Sequence, residues 1–217
     1  MSDLIVDSLI FDMDGTLWDA VETYVLGWNQ FFAENNINKK LDAQFLESYM
    51  GVEEKIFLKL IFPELSDEEL TRLYRNEIVP YLYKAVDQYG GILFPGVKEG
   101  LEKLSEKYPL FIVSNCPEKL IVHFMDRVNI SHLVTDSMAY GQNYQSKNEN
   151  IKLLVDKYGL RRPVYIGDTD SDRVQSEKAG VPFVFVDYGF GSCNKFFKRF
   201  SDFDSLLGHF INYDYSK

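Results

Sequence analysis

The chain has 217 residues and carries 23 basic against 33 acidic side chains, a formal net charge of −10. This length is enough to bury one substantial hydrophobic core and to carry a modest insertion. The acidic balance argues against a nucleic-acid partner, because such proteins normally present a basic face. The two cysteines, Cys116 and Cys193, are far apart and form no CxxC pattern, which argues against a disulfide scaffold or a structural zinc site.

The sequence carries no visible targeting or membrane signal. Its N-terminus lacks a basic region followed by a long apolar stretch, so we expect no signal peptide. No apolar run approaches the length of a membrane span. We therefore expect a cytoplasmic protein with no membrane partner, either a monomer or a homodimer.

Four short apolar runs are predicted to be β-strands, and helical patterns separate the last three. They cover residues 9–11, 110–113, 164–166 and 183–186. The segment HLVTDSMAY, after Ser131, is a weaker candidate for a further strand. Short runs that are apolar throughout and alternate with helices are typical of a parallel sheet covered on both faces. The pattern therefore predicts an α/β fold with a Rossmann-like parallel sheet.

Residues 18–86 have a different pattern, in which apolar side chains recur at helical spacing. Within this stretch Ser66 and Glu69 have the spacing of a capping box, which starts a helix. The segment YGGILFPG follows and has the glycines and proline expected of a hinge. We therefore predict an α/β core domain of residues 1–17 and 87–217, with an inserted helical cap domain of residues 18–86.

Polar side chains follow three of the predicted strands at the point where each strand ends. Asp12 and Asp14 follow the first strand, Ser114 and Asn115 follow the second, and GDTDSD, which begins at Gly167, follows a later one. In open parallel sheets, ligands bind beyond the carboxyl ends of the strands. If these strands are neighbours, the three groups meet at one edge of the sheet.

The spacing of Asp12 and Asp14 puts both side chains on one side of an extended backbone. Together with Asp168 they offer the hard oxygen ligands that Mg²⁺ prefers. One carboxylate could then attack phosphorus while the other handles a proton. The alternative is a strand followed by an acidic turn, with Gly15 supplying the bend.

Two further positions could bind phosphate. At Ser114 and Asn115 a strand turns into a helix, where exposed N–H groups and the serine hydroxyl would cradle phosphate oxygens; the alternative is a common helix cap. Ser146 and Glu149 have capping-box spacing, which would place Lys147 at the first helical position. A lysine there opposes the helix dipole, which makes Lys147 a candidate for neutralising phosphate charge; the alternative is an exposed lysine.

Two segments near the C-terminus have a less specific pattern. DYGFG follows the last predicted strand and is either a functional glycine-rich loop or only a turn. KFFKRF mixes basic and aromatic residues, but it is short and isolated in an acidic chain. We expect it to be a packing helix or a loop.

With these residues in hand, the sequence resembles the haloacid dehalogenase superfamily of hydrolases. DMDGT matches the first motif of that family, and FIVSN resembles the second. Lys147 resembles the third motif and GDTDSD the fourth, over residues 8 to about 191. The chain is most similar to the phosphoglycolate phosphatase-like branch, given the position of the helical cap and YGFG after the last strand.

The resemblance implies catalytic and metal-binding roles. Asp12 would form an aspartyl-phosphate, and Asp14 would protonate the leaving group and then activate water. Asp12, the backbone carbonyl of Asp14, and Asp168 would hold Mg²⁺. Asp172 would support the metal from nearby. The helical block would close over the core and contribute substrate contacts.

The resemblance also implies a phosphate-binding set. Ser114 and Lys147 would bind the transferring phosphoryl group. Thr16 would help to position the loop, and Asn115 would add phosphate or backbone contacts. The chain departs from many relatives at Asn148, where they have proline.

The function implied is a Mg²⁺-dependent phosphatase that acts on a small phosphorylated metabolite. The nearest alternative is a phosphomutase of the β-phosphoglucomutase type, which uses the same core residues. A dehalogenase is disfavoured because that class replaces the second aspartate, which is Asp14 here. A receiver domain would be shorter and would lack the helical insertion and DGT, and an inactive scaffold is disfavoured because the four motif residues are intact.

Overall fold

A six-stranded sheet forms the centre of the computed structural model, which describes residues 5–52 and 54–212. The strand order is β5-β4-β1-β6-β7-β8, and every pairing in this sheet is parallel. The strands of the described residues, including two that lie outside this sheet, are β1 (Ser8–Phe11), β2 (Trp18–Asp19), β3 (Ile92–Leu93), β4 (Leu110–Ser114), β5 (Val134–Ala139), β6 (Pro163–Gly167), β7 (Phe183–Val186) and β8 (Lys198–Phe200).

The four strands predicted from apolar runs are the four strands at the middle of the sheet. Every residue of β1, β4, β6 and β7 is buried, because helices cover both faces of a parallel sheet. The weaker candidate after Ser131 is confirmed as β5. The expectation for KFFKRF was wrong, because its residues 198–200 form the edge strand β8. A charged edge strand lacks the continuous apolar pattern of a central one.

Helices connect the strands and cover the sheet, and within the described residues none is both long and apolar enough to cross a membrane. A π-helical segment, Tyr74–Ile78, joins two of them. The α-helices are α1 (Val21–Glu34), α2 (Ala43–Glu47), α3 (Glu54–Ile61), α4 (Asp67–Leu73), α5 (Val79–Tyr89), α6 (Val97–Ser105), α7 (Leu120–Val128), α8 (Tyr140–Asn143), α9 (Lys147–Tyr158), α10 (Asp170–Lys178) and α11 (Phe203–Asn212).

One of the two predicted capping boxes is present. Ser66 accepts from the backbone N–H of Glu69, whose side chain returns to the Ser66 N–H, so α4 begins as predicted. Ser146 does precede α9, but its side chain makes no capping bond to the backbone. Its hydroxyl instead donates to Asn148 Oδ1 at 2.6 Å. The predicted start of α9 is thus correct and the predicted capping box is wrong.

The helices α1 to α5 form one block between β2 and β3. These two short strands pair antiparallel, Trp18 with Leu93 and Asp19 with Ile92, so the chain enters and leaves the block at the same place. The block has an aromatic centre, in which the rings of Trp28 and Phe57 are 5.5 Å apart. Helix α5 continues to residue 89, beyond the predicted boundary at 86. The division into core and cap domains stays a prediction.

Candidate active site

The strand order brings the three predicted polar groups to one edge of the sheet. β1 lies between β4 and β6, with Phe11 opposite Ile112 on one side and Ile166 on the other. The next residue after β1 is Asp12, β4 ends at Ser114, and Asp168 follows β6. All three side chains line one cavity of about 860 Å³, including its part open to solvent. The predicted meeting of these groups therefore rests on adjacent parallel strands.

A buried lysine bridges two carboxylates at the base of this cavity. Lys147 Nζ lies 2.9 Å from Asp12 Oδ1 and 2.6 Å from Asp172 Oδ1. All three side chains are almost inaccessible to solvent. Since Lys147 is the first residue of α9, its ammonium opposes the helix dipole. The two carboxylates compensate for that unfavourable position.

The charges of Asp12, Asp172 and Lys147 affect the pKa values of Asp12 and Lys147. Burial raises the pKa of Asp12 well above its usual range; Lys147 opposes this shift, and the carboxylates of Asp172 and Asp168 add to it. Burial alone would lower the pKa of Lys147, but Asp12 and Asp172 outweigh it and raise that pKa well above its usual range. Ionisation of Asp12 is therefore unfavourable here without a further positive charge.

Asp172 is occupied by fixed partners. Its Oδ1 binds Lys147, and its Oδ2 accepts from the backbone N–H of Thr169 at 3.1 Å and from the Thr169 hydroxyl at 2.6 Å. Thr169 in turn accepts from the Asp172 N–H, which completes a capping box at the start of α10. Asp172 is thereby positioned to hold Lys147 in place.

Asp168 is fixed by three hydrogen bonds from distant parts of the chain. Its Oδ2 accepts from the N–H groups of Phe190 at 2.8 Å and Gly191 at 3.3 Å. Its Oδ1 accepts from the Thr16 hydroxyl at 3.3 Å. Burial, together with the charge of Asp172, raises the pKa of Asp168 to about 7. The DYGFG loop is therefore more than a turn, because its backbone holds a carboxylate of the site.

Gly15 allows the loop after β1 to pass close to Asp168. Its φ of +81° lies in the left-handed region, which favours glycine. A Cβ at this position would also overlap the Asp168 carboxylate. The glycine of the DMDGT motif is thus required both by backbone conformation and by the space that Asp168 occupies.

Asp14 lines the same cavity as Asp12 and Asp168, and its hydrogen-bond partners lie at the entrance of the helical block. Its Oδ1 accepts from the indole N–H of Trp18 at 3.0 Å and from the Tyr24 hydroxyl at 2.8 Å. Burial raises the pKa of Asp14 to about 6, although both hydrogen bonds oppose that shift. Because both donors bind Oδ1, Oδ2 is left to hold a proton.

The cluster formed by the carboxylates of Asp12, Asp168 and Asp172 fits a divalent cation. One carboxylate oxygen from each of Asp12, Asp168 and Asp172 lies within 4.8 Å of the others. Three carboxylates against the single ammonium of Lys147 leave two formal negative charges in a buried place. Asp12 Oδ1 accepts no well-directed hydrogen bond from the described residues. Buried oxygen donors with uncompensated charge are suited to a hard ion such as Mg²⁺.

The remaining predicted residues divide into two groups. Ser114 and Asn115 line the cavity, as the phosphate-binding prediction requires, and Ser114 is buried. Thr16 does not line it, because the side chain is fully buried and its hydroxyl donates to Asp168. The structure thus gives Thr16 a position behind Asp168 rather than against phosphate. The carboxylate of Asp14 lies outside the group of three carboxylates that could hold the ion, and the predicted ligand at this residue is its backbone carbonyl.

The sequence matches the family model of the haloacid dehalogenase-like hydrolases over residues 9–186. The chain belongs to this family. Among its relatives are phosphoglycolate phosphatases from Haemophilus influenzae and Rhodobacter capsulatus. The first is 26% identical over 192 residues, covering 83% of this chain and 85% of the relative. The second is 24% identical over 213 residues, covering 93% and 95%.

Solved structures show the same fold. A haloacid dehalogenase-like family hydrolase from Streptococcus pneumoniae superposes with a TM-score of 0.77 at 21% identity, covering 94% of this chain and 98% of that one. A protein from Haemophilus somnus, described as a predicted phosphoglycolate phosphatase, gives 0.79 at 24% identity, covering 94% and 97%. The predictions of the α/β fold, of the family and of a phosphoric monoester hydrolase of the haloacid dehalogenase type are confirmed.

The residues that sequence reasoning missed in this haloacid dehalogenase-like hydrolase lie around the motifs rather than in them. Trp18 and Tyr24 bind Asp14, and the backbone of residues 190 and 191 binds Asp168. The DYGFG loop gave a signal by its glycines and its place after β7. Tyr24 gave none, since an aromatic residue in an amphipathic helix is ordinary core.

Proposed function

We propose that the protein is a Mg²⁺-dependent phosphatase that hydrolyses a small phosphorylated metabolite through an aspartyl-phosphate on Asp12. The observation that carries this proposal is the buried group in which Lys147 contacts both Asp12 and Asp172, with Asp168 beside them. An acidic turn would not place three carboxylates out of solvent around one ammonium. The cytoplasmic location and the monomeric or homodimeric state stay predictions.

Asp12 is the proposed nucleophile. Its Oδ1 contacts Lys147, whereas Oδ2 accepts no hydrogen bond within residues 5–52 and 54–212, and we assign the attack on phosphorus to that oxygen. The attack forms a bond from Asp12 to phosphorus and breaks the bond from phosphorus to the ester oxygen. Lys147 and Ser114 donate to the phosphoryl oxygens as negative charge develops on them.

Asp14 is the proposed acid and base. In the first step its Oδ2 gives a proton to the departing ester oxygen, which leaves as an alcohol. In the second step the resulting carboxylate takes a proton from the water that attacks the phosphoryl group, and Asp12 is released with inorganic phosphate. A pKa of about 6 suits both directions of transfer near neutral pH.

Asp12, the backbone carbonyl of Asp14, and Asp168 would hold Mg²⁺, with Asp172 supporting the site through Lys147. When bound, the ion supplies positive charge that neutralises the phosphoryl oxygens. Thr16, Phe190 and Gly191 act on this set indirectly, by holding the Asp168 carboxylate in one orientation.

The test is release of inorganic phosphate from a panel of phosphorylated metabolites, with Mg²⁺ or with a chelator. The panel includes 2-phosphoglycolate, because relatives of this chain are phosphoglycolate phosphatases. We expect Asp12→Asn to lower kcat at least about 10³-fold, while Asp156→Asn, an exposed change on α9, leaves it unchanged. Activity that survives Asp12→Asn contradicts the mechanism. Interconversion of sugar phosphates without phosphate release would instead indicate the phosphomutase.

A further inference from the structure

The helical block forms a mainly apolar wall of the cavity above the carboxylates of Asp12 and Asp168. Eleven cavity-lining residues come from the block, and most are aromatic or aliphatic. Prominent among them are Trp28, Leu46, Tyr49, Met50, Phe57 and Tyr74. The organic group of a substrate whose phosphate reaches Asp12 would therefore lie against apolar side chains.

The charges on this wall are unusual for a site that takes an anion. Among the described residues that line the cavity, Lys147 is the only basic one, and Asp12 and Asp172 already hold it. The only charged residue that the helical block contributes to the described lining is Glu54, an acid, at the start of α3. A second anionic group on a substrate would therefore find no cation free to bind it there.

Glu54 is itself without a close partner. Its carboxylate takes part in no hydrogen bond and no ion pair with other residues of the described chain. Arg75 attracts it from farther away, but the Arg75 guanidinium stacks on the Tyr144 ring, 3.2 Å from its centroid, and does not line this cavity. Lys55 is exposed and does not line this cavity; it lines two neighbouring grooves, one of which Glu54 also lines. Glu54 is thus an unpaired acid facing the space that the organic group of a substrate would fill.

We propose that Glu54 is a specificity-determining residue that selects phosphate monoesters whose organic group is apolar and bears an amino group, and that disfavours those bearing a carboxylate. This inference rests on the proposed phosphatase activity. An ammonium beside Glu54 gains a charge partner in a poorly solvated place, whereas a carboxylate there is left unpaired next to a like charge. Discrimination by an unfavourable charge is a common route to specificity.

The experiment compares kcat/KM for three aryl phosphates that differ only in one para substituent: aminomethyl, methyl and carboxymethyl. The methylene keeps the substituent's charge away from the ester oxygen, so the three leaving groups are similar. 2-Phosphoglycolate is the fourth substrate. Assays are run at pH 8 with Mg²⁺. Burial raises the pKa of Glu54 to about 7, so Glu54 is mostly ionised at this pH. The variants are Glu54→Gln and the control Glu64→Gln, an exposed change on the same block.

We expect the wild-type protein to prefer the aminomethyl over the carboxymethyl ester at least 100-fold, with 2-phosphoglycolate among the poorest substrates. Glu54→Gln should reduce that ratio at least tenfold and leave kcat/KM for the methyl ester within about twofold, while Glu64→Gln changes neither. Equal kcat/KM values for the charged esters, or a ratio that Glu54→Gln leaves intact, would overturn the inference while the phosphatase stands. Failure to release phosphate from any ester would overturn the proposed function, and this inference with it.

Discussion

The burial of Asp168, together with the nearby charge of Asp172, leads to a measurable dependence of stability on pH. In the folded protein without metal, the pKa of Asp168 is raised from 3.8 to about 7. A raised carboxyl pKa means that the folded state binds more protons than the unfolded state between these two values. The contribution of Asp168 to stability therefore falls as the pH rises from about 4 to about 7, and it is constant above that.

The magnitude follows from about 1.4 kcal/mol per pKa unit. Above pH 7 the ionised Asp168 costs about 4 kcal/mol of folding free energy, and at pH 5 it costs about 1.5 kcal/mol. Asp168→Asn abolishes the titration, and its amide oxygen can still accept from the N–H groups of Phe190 and Gly191. The stability difference between variant and wild type should therefore shift by about 2.5 kcal/mol in favour of the variant between pH 5 and pH 8.

The assay is urea and thermal unfolding in a metal chelator at pH 5, 6, 7 and 8. For a chain of this length, 2.5 kcal/mol corresponds to a relative change in Tm of about 5–10 °C. Asp156→Asn serves as the matched control and should follow the wild-type pH dependence. Mg²⁺ at 100 times its Kd should stabilise the wild type by about 2.7 kcal/mol at pH 8 and the Asp168→Asn variant by much less. Parallel pH curves for Asp168→Asn and wild type would refute the electrostatic reasoning.

Three further changes probe the rest of the site. Gly15→Ala should destabilise the protein by more than about 2 kcal/mol in urea unfolding, because its φ is positive and its Cβ would overlap Asp168; a loss below about 0.5 kcal/mol would contradict this. Tyr24→Phe removes a hydrogen bond that lowers the pKa of Asp14, so the limb of the activity–pH profile that Asp14 controls should move up by about 1 pH unit; an unmoved limb would argue against Asp14 as the proton donor. Lys147→Met leaves two buried carboxylates unpaired, and we expect a loss of about 3–5 kcal/mol in chelator at pH 8; an unchanged unfolding midpoint would count against the buried ion pairs.

Most of the sheet could be predicted because its central strands are buried on both faces and therefore read as continuous apolar runs. The edge strand β8 could not, since Lys198 is only half-buried, Arg199 is exposed and only Phe200 is buried. Turn patterns also predicted that Asp12 and Asp168 lie at one edge, because the carboxyl ends of adjacent parallel strands meet there, and Lys147 was predicted from its place at the start of a helix. These three side chains do lie together.

The roles of side chains that depend on distant contacts could not be predicted. Thr16 was expected to help to position the loop within the phosphate-binding set, but nothing in the sequence indicated that its hydroxyl meets Asp168, 152 residues away. The capping-box argument placed Lys147 correctly at the start of α9, although Ser146 does not make the capping hydrogen bond on which that argument relied. Which side of a cap helix faces the cavity depends on how the block packs on the sheet, so Glu54 carried no signal in the sequence.

The different surroundings of Asp12 and Asp14 follow from where the chain goes after β1. Asp12 ends the strand and stays with the fixed group of Lys147 and Asp172, which belongs wholly to the sheet and its helices. Asp14 turns towards Trp18, in the strand that leads into the helical block, and towards Tyr24, in the first helix of that block. Both hydrogen bonds lower the pKa of Asp14 whereas burial raises it, so a displacement of the block changes this pKa through the hydrogen bonds and through access of solvent. The nucleophile is thus held by the sheet, whereas the readiness of the acid to give up its proton depends on the position of the helices that cover the substrate.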